Sequence, residues 1–105
     1  MSVNEFRELI EEIRSFAQVR DWEKFHTPKN LAMAIAGEAG ELSAEFQWLS
    51  AEQSEKNALN SEKLHDIALE MADVQIYLLR LADVLAVDIP SAVREKIAIN
   101  ETRFS

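Results

Sequence analysis

Glu38 and Glu41 stand three residues apart in Gly37-Glu38-Ala39-Gly40-Glu41-Leu42, and Glu70 and Asp73 repeat that spacing in Leu69-Glu70-Met71-Ala72-Asp73-Val74. Helical residues three apart share a face, with Cβ atoms about 5–6 Å apart. Both pairs border an apolar stripe, where a solvated acid is least expected. Two carboxylates about 5.5 Å apart repel by roughly 3 kcal/mol at an effective dielectric near 20. Four held together in a partly dry helical bundle therefore require protonation, cationic partners or a metal. An oxygen-only set suits Mg²⁺, which binds through carboxylates and substrate phosphates. The lack of His and Cys in the set argues against zinc, and a carboxylate in place of the histidine of Glu-x-x-His argues against a di-iron centre. The competing reading of the same residues is a solvated acidic face.

Other side chains could complete such a site. Trp22, Phe25 and His26 fall in one aromatic connector, where they either line a pocket or plug the end of a bundle. His26 could contact phosphate or cap a helix. Trp48 follows Glu41 by one heptad, which places it on the same helical face. It is either a stacking platform for a base, a contact that supplies about 1–3 kcal/mol, or a core residue. Tyr77 follows Asp73 by one turn and could hydrogen-bond a ligand. Lys96, Asn100 and Arg103 share a polar face, either near phosphates or simply solvated. His65 reads as a surface residue.

Four helices must position these groups. The first is expected over Asn4–Val19, with Ser2 and Glu5 as a capping box and Phe6, Leu9, Ile10, Ile13, Phe16 and Ala17 at helical spacing. Thr27-Pro28 reads as an N-cap followed by a first-turn proline, which opens a second helix running to Leu49. Its stripe is Leu31, Ile35, Leu42, Phe46 and Leu49. Gly37 and Gly40 each cost about 1 kcal/mol against alanine and imply close approach by another helix or a ligand. Residues 51–60 form a polar loop with a short helical turn. A third helix, Ser61–Val87, carries Leu64, Ile67, Met71, Val74, Leu78, Leu81 and Leu85 on one side and Leu69, Ile76 and Leu79 on another. A helix apolar on nearly every side is buried on nearly every side, so a second copy of the chain is expected to cover it. Asp88-Ile89-Pro90 opens the fourth helix, with Val93, Ile97 and Phe104 expected to pack inward.

The chain has 105 residues, 48% of them hydrophobic and 29% charged, which fits one all-α globular domain over residues 1–105. Two glycines and two prolines suit long helices better than strands. A net charge of −8 disfavours nucleic-acid polymers, whose non-specific binding depends on Lys and Arg. With no cysteine there is no disulfide, thiol nucleophile or thiolate site. A reducing, cytoplasmic location is the expectation, with no secretory signal and no membrane span.

Glu-x-x-Glu, 28 intervening residues, then Glu-x-x-Asp resembles the signature of the all-α nucleoside triphosphate pyrophosphatases, the MazG-like superfamily. The resemblance runs from Phe6 to Arg103 and is nearest to the dCTP pyrophosphatase branch. It is carried by Arg20-Asp21-Trp22-Glu23-Lys24-Phe25-His26, by Phe46-Gln47-Trp48, by Asp73-Val74-Gln75-Ile76-Tyr77-Leu78 and by Lys96, Asn100 and Arg103 at fixed spacing. It implies a four- to five-helix bundle assembled as a dimer or dimer of dimers. It also implies Mg²⁺-dependent hydrolysis of a nucleoside triphosphate to monophosphate and pyrophosphate, with Mn²⁺ as a substitute. Glu38, Glu41, Glu70 and Asp73 would hold metal, with Glu41 favoured as base. Trp22, Phe25, His26, Trp48 and Tyr77 would form the nucleoside pocket, and Lys96 and Asn100 would approach the phosphates or brace the site. The substrate the resemblance implies is dCTP or a related or modified pyrimidine deoxynucleotide, although the chain departs from that branch at Ile13, where the relatives carry histidine, and in its last residues, Asn100-Glu101-Thr102-Arg103-Phe104-Ser105, where they are basic. The competing functions are a related enzyme acting on dUTP or damaged nucleotides, and a non-enzymatic helical interaction module.

Overall fold

The structure is a computed structural model and describes residues 3–104. Helices α1 (Val3–Val19), α2 (Pro28–Ala44), α3 (Ser61–Leu85) and α4 (Ile89–Phe104) follow one another, with single 3₁₀ turns at Glu23–Phe25 and Lys56–Ala58 and no strand among the described residues. The expected capping box of Ser2 and Glu5 lies outside the described residues. The polar stretch before α3 contains the expected short turn, and Asn60 opens α3 by accepting a hydrogen bond from Lys63 N through Oδ1 at 2.7 Å. Asp88 opens α4 in the same way, taking the Ser91 amide on Oδ1 at 3.1 Å. No helix of the described residues is long and apolar enough to cross a membrane.

Helix α2 stops at Ala44 rather than at Leu49. Apolar spacing continues through Phe46 and Leu49, but Ser50 and Gln53 form a reciprocal box in which each backbone amide donates to the other's side chain, at 2.9 and 3.2 Å. That box starts a new turn and so ends the old one. Residues 45–49 close tighter bonds three residues back, such as Phe46 N to Ser43 O at 3.0 Å.

The chain forms two compact units. One takes the residues through Pro28 and those from Leu79 onward, and the other takes Lys29–Leu78. In the second, Leu31 and Ile67 are buried, with Ile35, Leu42, Phe46, Leu49 and Val74 half-buried beside them. In the first, Ala17, Leu79 and Ala82 are buried. Val93, Ile97 and Phe104 do not pack inward as expected. All three are exposed, because nothing among the described residues covers that face of α4. Leu64, Met71 and Leu78, spaced by heptads along α3, are exposed as well. Gly37 and Gly40 are likewise open: a Cβ built on either would meet nothing within 4 Å, so the close approach they imply is not made among the described residues.

Candidate active site

In the second unit, α2 carries Glu38 and Glu41 and α3 carries Glu70 and Asp73. One carboxylate oxygen each from Glu38, Glu70 and Asp73 lies within 4.8 Å of the others. Oxygens across a hard cation stand about 4–5 Å apart, twice a bond length of about 2.1–2.5 Å. Donor type and spacing therefore fit such an ion. Glu38 and Glu70 are half-buried and Asp73 is exposed. Among the described residues, no lysine or arginine ion pair reaches any of the three, whereas Glu45 is held by Lys63 Nζ at 2.7 Å. Burial, then the charges of Asp73, Glu41, Glu38 and Glu45, push the Glu70 carboxyl above its ordinary value. A raised value means that the ionised form is disfavoured in the fold. Its contribution to stability is thus present in acid and is lost as pH rises through the folded value. A bound cation would reverse that cost. Glu41 stands outside the three-oxygen group, although its charge is felt at Glu70.

Tyr77 is half-buried one turn beyond Asp73. Trp48 is 87% exposed. Because α2 has ended at Ala44, Trp48 does not share a helical face with Glu41, and it is not a core residue of this chain.

The first unit holds the aromatic connector. Asp21 takes a left-handed φ of 54°, while Trp22 N donates to Ala17 O at 2.9 Å and Asp21 N to Gln18 O at 3.1 Å. This is a Schellman stop, which turns the second residue past the helix back onto its last turns. Trp22 accordingly meets Phe16 edge-on, with ring centroids 5.6 Å apart. The 3₁₀ turn then returns His26 to Trp22, with centroids 6.4 Å apart. Phe25 is exposed, under the Lys24 ammonium. On α4, Lys96 is exposed, and half-buried Asn100 lines a shallow hollow with Ile97, Glu101 and Phe104. His65, on α3, is exposed as expected.

Sequence reasoning passed over one network in this unit. Arg80 is only 6% exposed. Its Nε donates to His26 Nδ1 at 3.0 Å and its Nη1 to Asp83 Oδ2 at 3.0 Å. Arg14 closes a fork on the same carboxylate, Nε to Oδ2 at 2.9 Å and Nη2 to Oδ1 at 2.6 Å. The hydrogen bond from Arg14 holds Asp83 below its ordinary value against the effect of burial, with the charges of both arginines adding to it. Burial, then the Arg80 charge, lowers His26, and Glu23 opposes them. A signal was present: Leu78-Leu79-Arg80-Leu81-Ala82-Asp83 sets a charged pair three residues apart inside an apolar run, and buried charge needs a partner.

An all-helical chain with an acidic, oxygen-only centre is a candidate cation-dependent hydrolase. The model of the MazG-like family matches residues 33–105, which include all four acidic positions, and the chain belongs to that family. It is 41% identical to rat dCTP pyrophosphatase 1 over 99 residues, covering 90% of this chain and 58% of that protein. It is 40% identical to the human dCTP pyrophosphatase 1 over 99 residues, with 90% and 58% covered. The chain thus spans less than two thirds of the length of these curated relatives. A solved pyrophosphatase from Archaeoglobus fulgidus matches with a TM-score of 0.88 at 38% identity, over 99% of this chain and 95% of that one.

Proposed function

We propose that this chain hydrolyses a nucleoside triphosphate, dCTP or a related pyrimidine deoxynucleotide, to the monophosphate and pyrophosphate. The observation that carries the reading is the trio of Glu38, Glu70 and Asp73, three converging acids with no cationic partner among the described residues. Its support is the likeness to dCTP pyrophosphatases.

Those three, with Glu41, would hold Mg²⁺, or Mn²⁺ in its place. When bound, the metal neutralises the triphosphate and makes water a better nucleophile. Glu41, the one of the four that lies outside the close three-oxygen group, is also the residue assigned to take the water's proton. Attack of water oxygen on the α-phosphorus forms one P–O bond and breaks the α–β bridge, pyrophosphate leaving with the electron pair; the resemblance assigns Lys96 and Asn100 to the phosphates. The family resemblance assigns Trp22, Phe25, His26, Trp48 and Tyr77 to the nucleoside. Residues 1–105 act as one domain in the cytoplasm. The exposed heptad Leu64, Met71 and Leu78 is covered by a second copy in a dimer or a dimer of dimers.

The test is a panel of purine and pyrimidine nucleoside triphosphates with Mg²⁺, assayed for pyrophosphate. Release from dCTP that falls at least a hundredfold in Glu41→Gln supports the proposal. No release from any member leaves the non-enzymatic module as the better account.

A further inference from the structure

We propose that Lys63 is a positioning residue: through its ion pair with Glu45 it clasps the end of α2 onto α3 and so holds Glu38 and Glu41 at the distance from Glu70 and Asp73 that a divalent cation needs. This rests on the metal-binding reading above and names what keeps that site in shape.

The placement of the pair carries the argument. Glu45 follows Glu38 by seven residues, and Lys63 precedes Glu70 by seven. Seven residues are close to two helical turns, about 10 Å of axis. Glu38 and Glu70 bring carboxylate oxygens within 4.8 Å at one level, and Glu45 meets Lys63 Nζ at 2.7 Å two turns away. The two helices therefore run antiparallel here in a single register. The two levels have opposite character. At the first, like charges face one another and push the helices apart. At the second, opposite charges draw them together, half-buried and screened less than a surface pair.

Neither residue sits where its own helix favours it. Lys63 is the third residue of α3, where the positive end of the helix dipole disfavours a cation and a capping box calls for Glu or Gln. Glu45 lies just past the last residue of α2, at the carbonyl end, where an anion is disfavoured. Local preference does not account for the pair; the contact across the helices does. Its two ends differ in firmness. The Lys63 amide is held by Asn60 Oδ1 at 2.7 Å, so the ammonium hangs from a fixed base. Beyond Ala44 the amides of Glu45 and Phe46 reach only three residues back, at 3.2 and 3.0 Å, in the poorer geometry of a 3₁₀ turn. Helix ends fray, and Glu41 stands in the last turn of α2. Without Lys63 that turn loosens and Glu41 moves with it.

A competing account makes Lys63 only a nearby positive charge, and the two accounts differ in sign. On charge alone, removing Lys63 tightens a cation and removing Glu45 loosens it. On the clasp, either removal loosens it. The test is Mn²⁺ binding to the whole chain, followed by the electron paramagnetic resonance of free Mn²⁺, in the wild type, Lys63→Gln, Glu45→Gln and the swapped pair Lys63→Glu with Glu45→Lys, each checked for helix content by circular dichroism. Amide hydrogen exchange over residues 41–46 of the metal-free proteins is measured alongside. Both glutamine variants are expected to weaken Mn²⁺ by roughly two- to fivefold, the worth of one such ion pair, and to exchange faster in that segment, while the swapped pair returns both to wild type. Tighter binding in Lys63→Gln with weaker binding in Glu45→Gln overturns the proposal. So does unchanged affinity in both, which a merely structural pair would give even with a loss of stability. If the glutamine variants lose helix, the swapped pair decides: wild-type affinity there supports the clasp and a loss overturns it. A wild type that binds no Mn²⁺ overturns the metal reading, and the exchange rates then decide the clasp by themselves.

Discussion

Replacing Asp83 by asparagine keeps its shape and removes its charge. Asp83 accepts three hydrogen bonds from two guanidinium groups, at 2.6, 2.9 and 3.0 Å. The two arginines are not equivalent. The Arg14 side chain is 44% exposed, so its fork is screened by water and contributes about 0.5–1 kcal/mol. The Arg80 side chain is 7% exposed, and without Asp83 its charge is buried and uncompensated, at a cost of about 3–5 kcal/mol. The Arg80 part dominates. Asp83→Asn should therefore lower stability by about 3–5 kcal/mol and Arg14→Ala by about 1 kcal/mol. The assay is urea unfolding at fixed protein concentration, with the slope compared between variants so that a change in midpoint reports stability. The pH dependence has a definite sign. Because the folded value of Asp83 is depressed, its contribution is complete above the unfolded value, near pH 4, and disappears as pH falls through the lower folded value. The gap between wild type and variant should stay constant near neutrality and close only in acid. A loss below about 1 kcal/mol at pH 7, or a gap that closes between pH 7 and 5, would refute the reasoning.

Glu70→Gln removes a carboxyl that its neighbours push upward. It should raise the thermal midpoint of the metal-free protein near neutral pH and, if the proposed metal site holds, remove the rise expected for the wild type with Mg²⁺ by mass action and cut turnover by at least about a hundredfold; differential scanning calorimetry with and without Mg²⁺ reads the first two. Ala86, at the end of α3, has a φ of 55°, which costs an L-residue about 1–2 kcal/mol. Ala86→Gly should stabilise the chain by about 0.5–1 kcal/mol after the glycine entropy is offset, and an unchanged urea midpoint would contradict that. Trp48→Ala should leave the melting temperature within about 2 °C, since little is buried there, while raising KM for the nucleotide; a KM equal to wild type removes Trp48 from the pocket.

The helices were legible because their punctuation is local. Thr27-Pro28, Asn60 and Asp88 announce starts that one or two turns of chain can enforce. The acidic pairs were legible because i, i+3 spacing survives any arrangement of the helices. The end of α2 was misplaced because apolar periodicity carries on past Ala44, while the Ser50–Gln53 box that overrides it is a short polar signal inside a loop. The inward face assigned to α4 failed for another reason. Periodicity tells which residues line up and not whether anything lies across from them, and Val93, Ile97 and Phe104 are left uncovered by the described residues. The Arg14–Asp83–Arg80–His26 chain joins residues up to 69 positions apart, and no spacing rule reaches that far.

The thin interior has a further consequence. Only Ala17, Leu31, Ile67, Leu79 and Ala82 are sealed hydrophobics among the described residues, while leucines, isoleucines, valines and aromatics along α3 and α4 are left outside. Sensitivity to mutation is thereby relocated. A polar replacement at Leu31 or Leu79 damages every molecule at once, but the same change at Leu64, Met71 or Ile97 scarcely troubles a lone chain. Its penalty falls on whatever society the chain keeps, and it would surface as altered solubility and altered dependence on dilution before any change in the helices themselves.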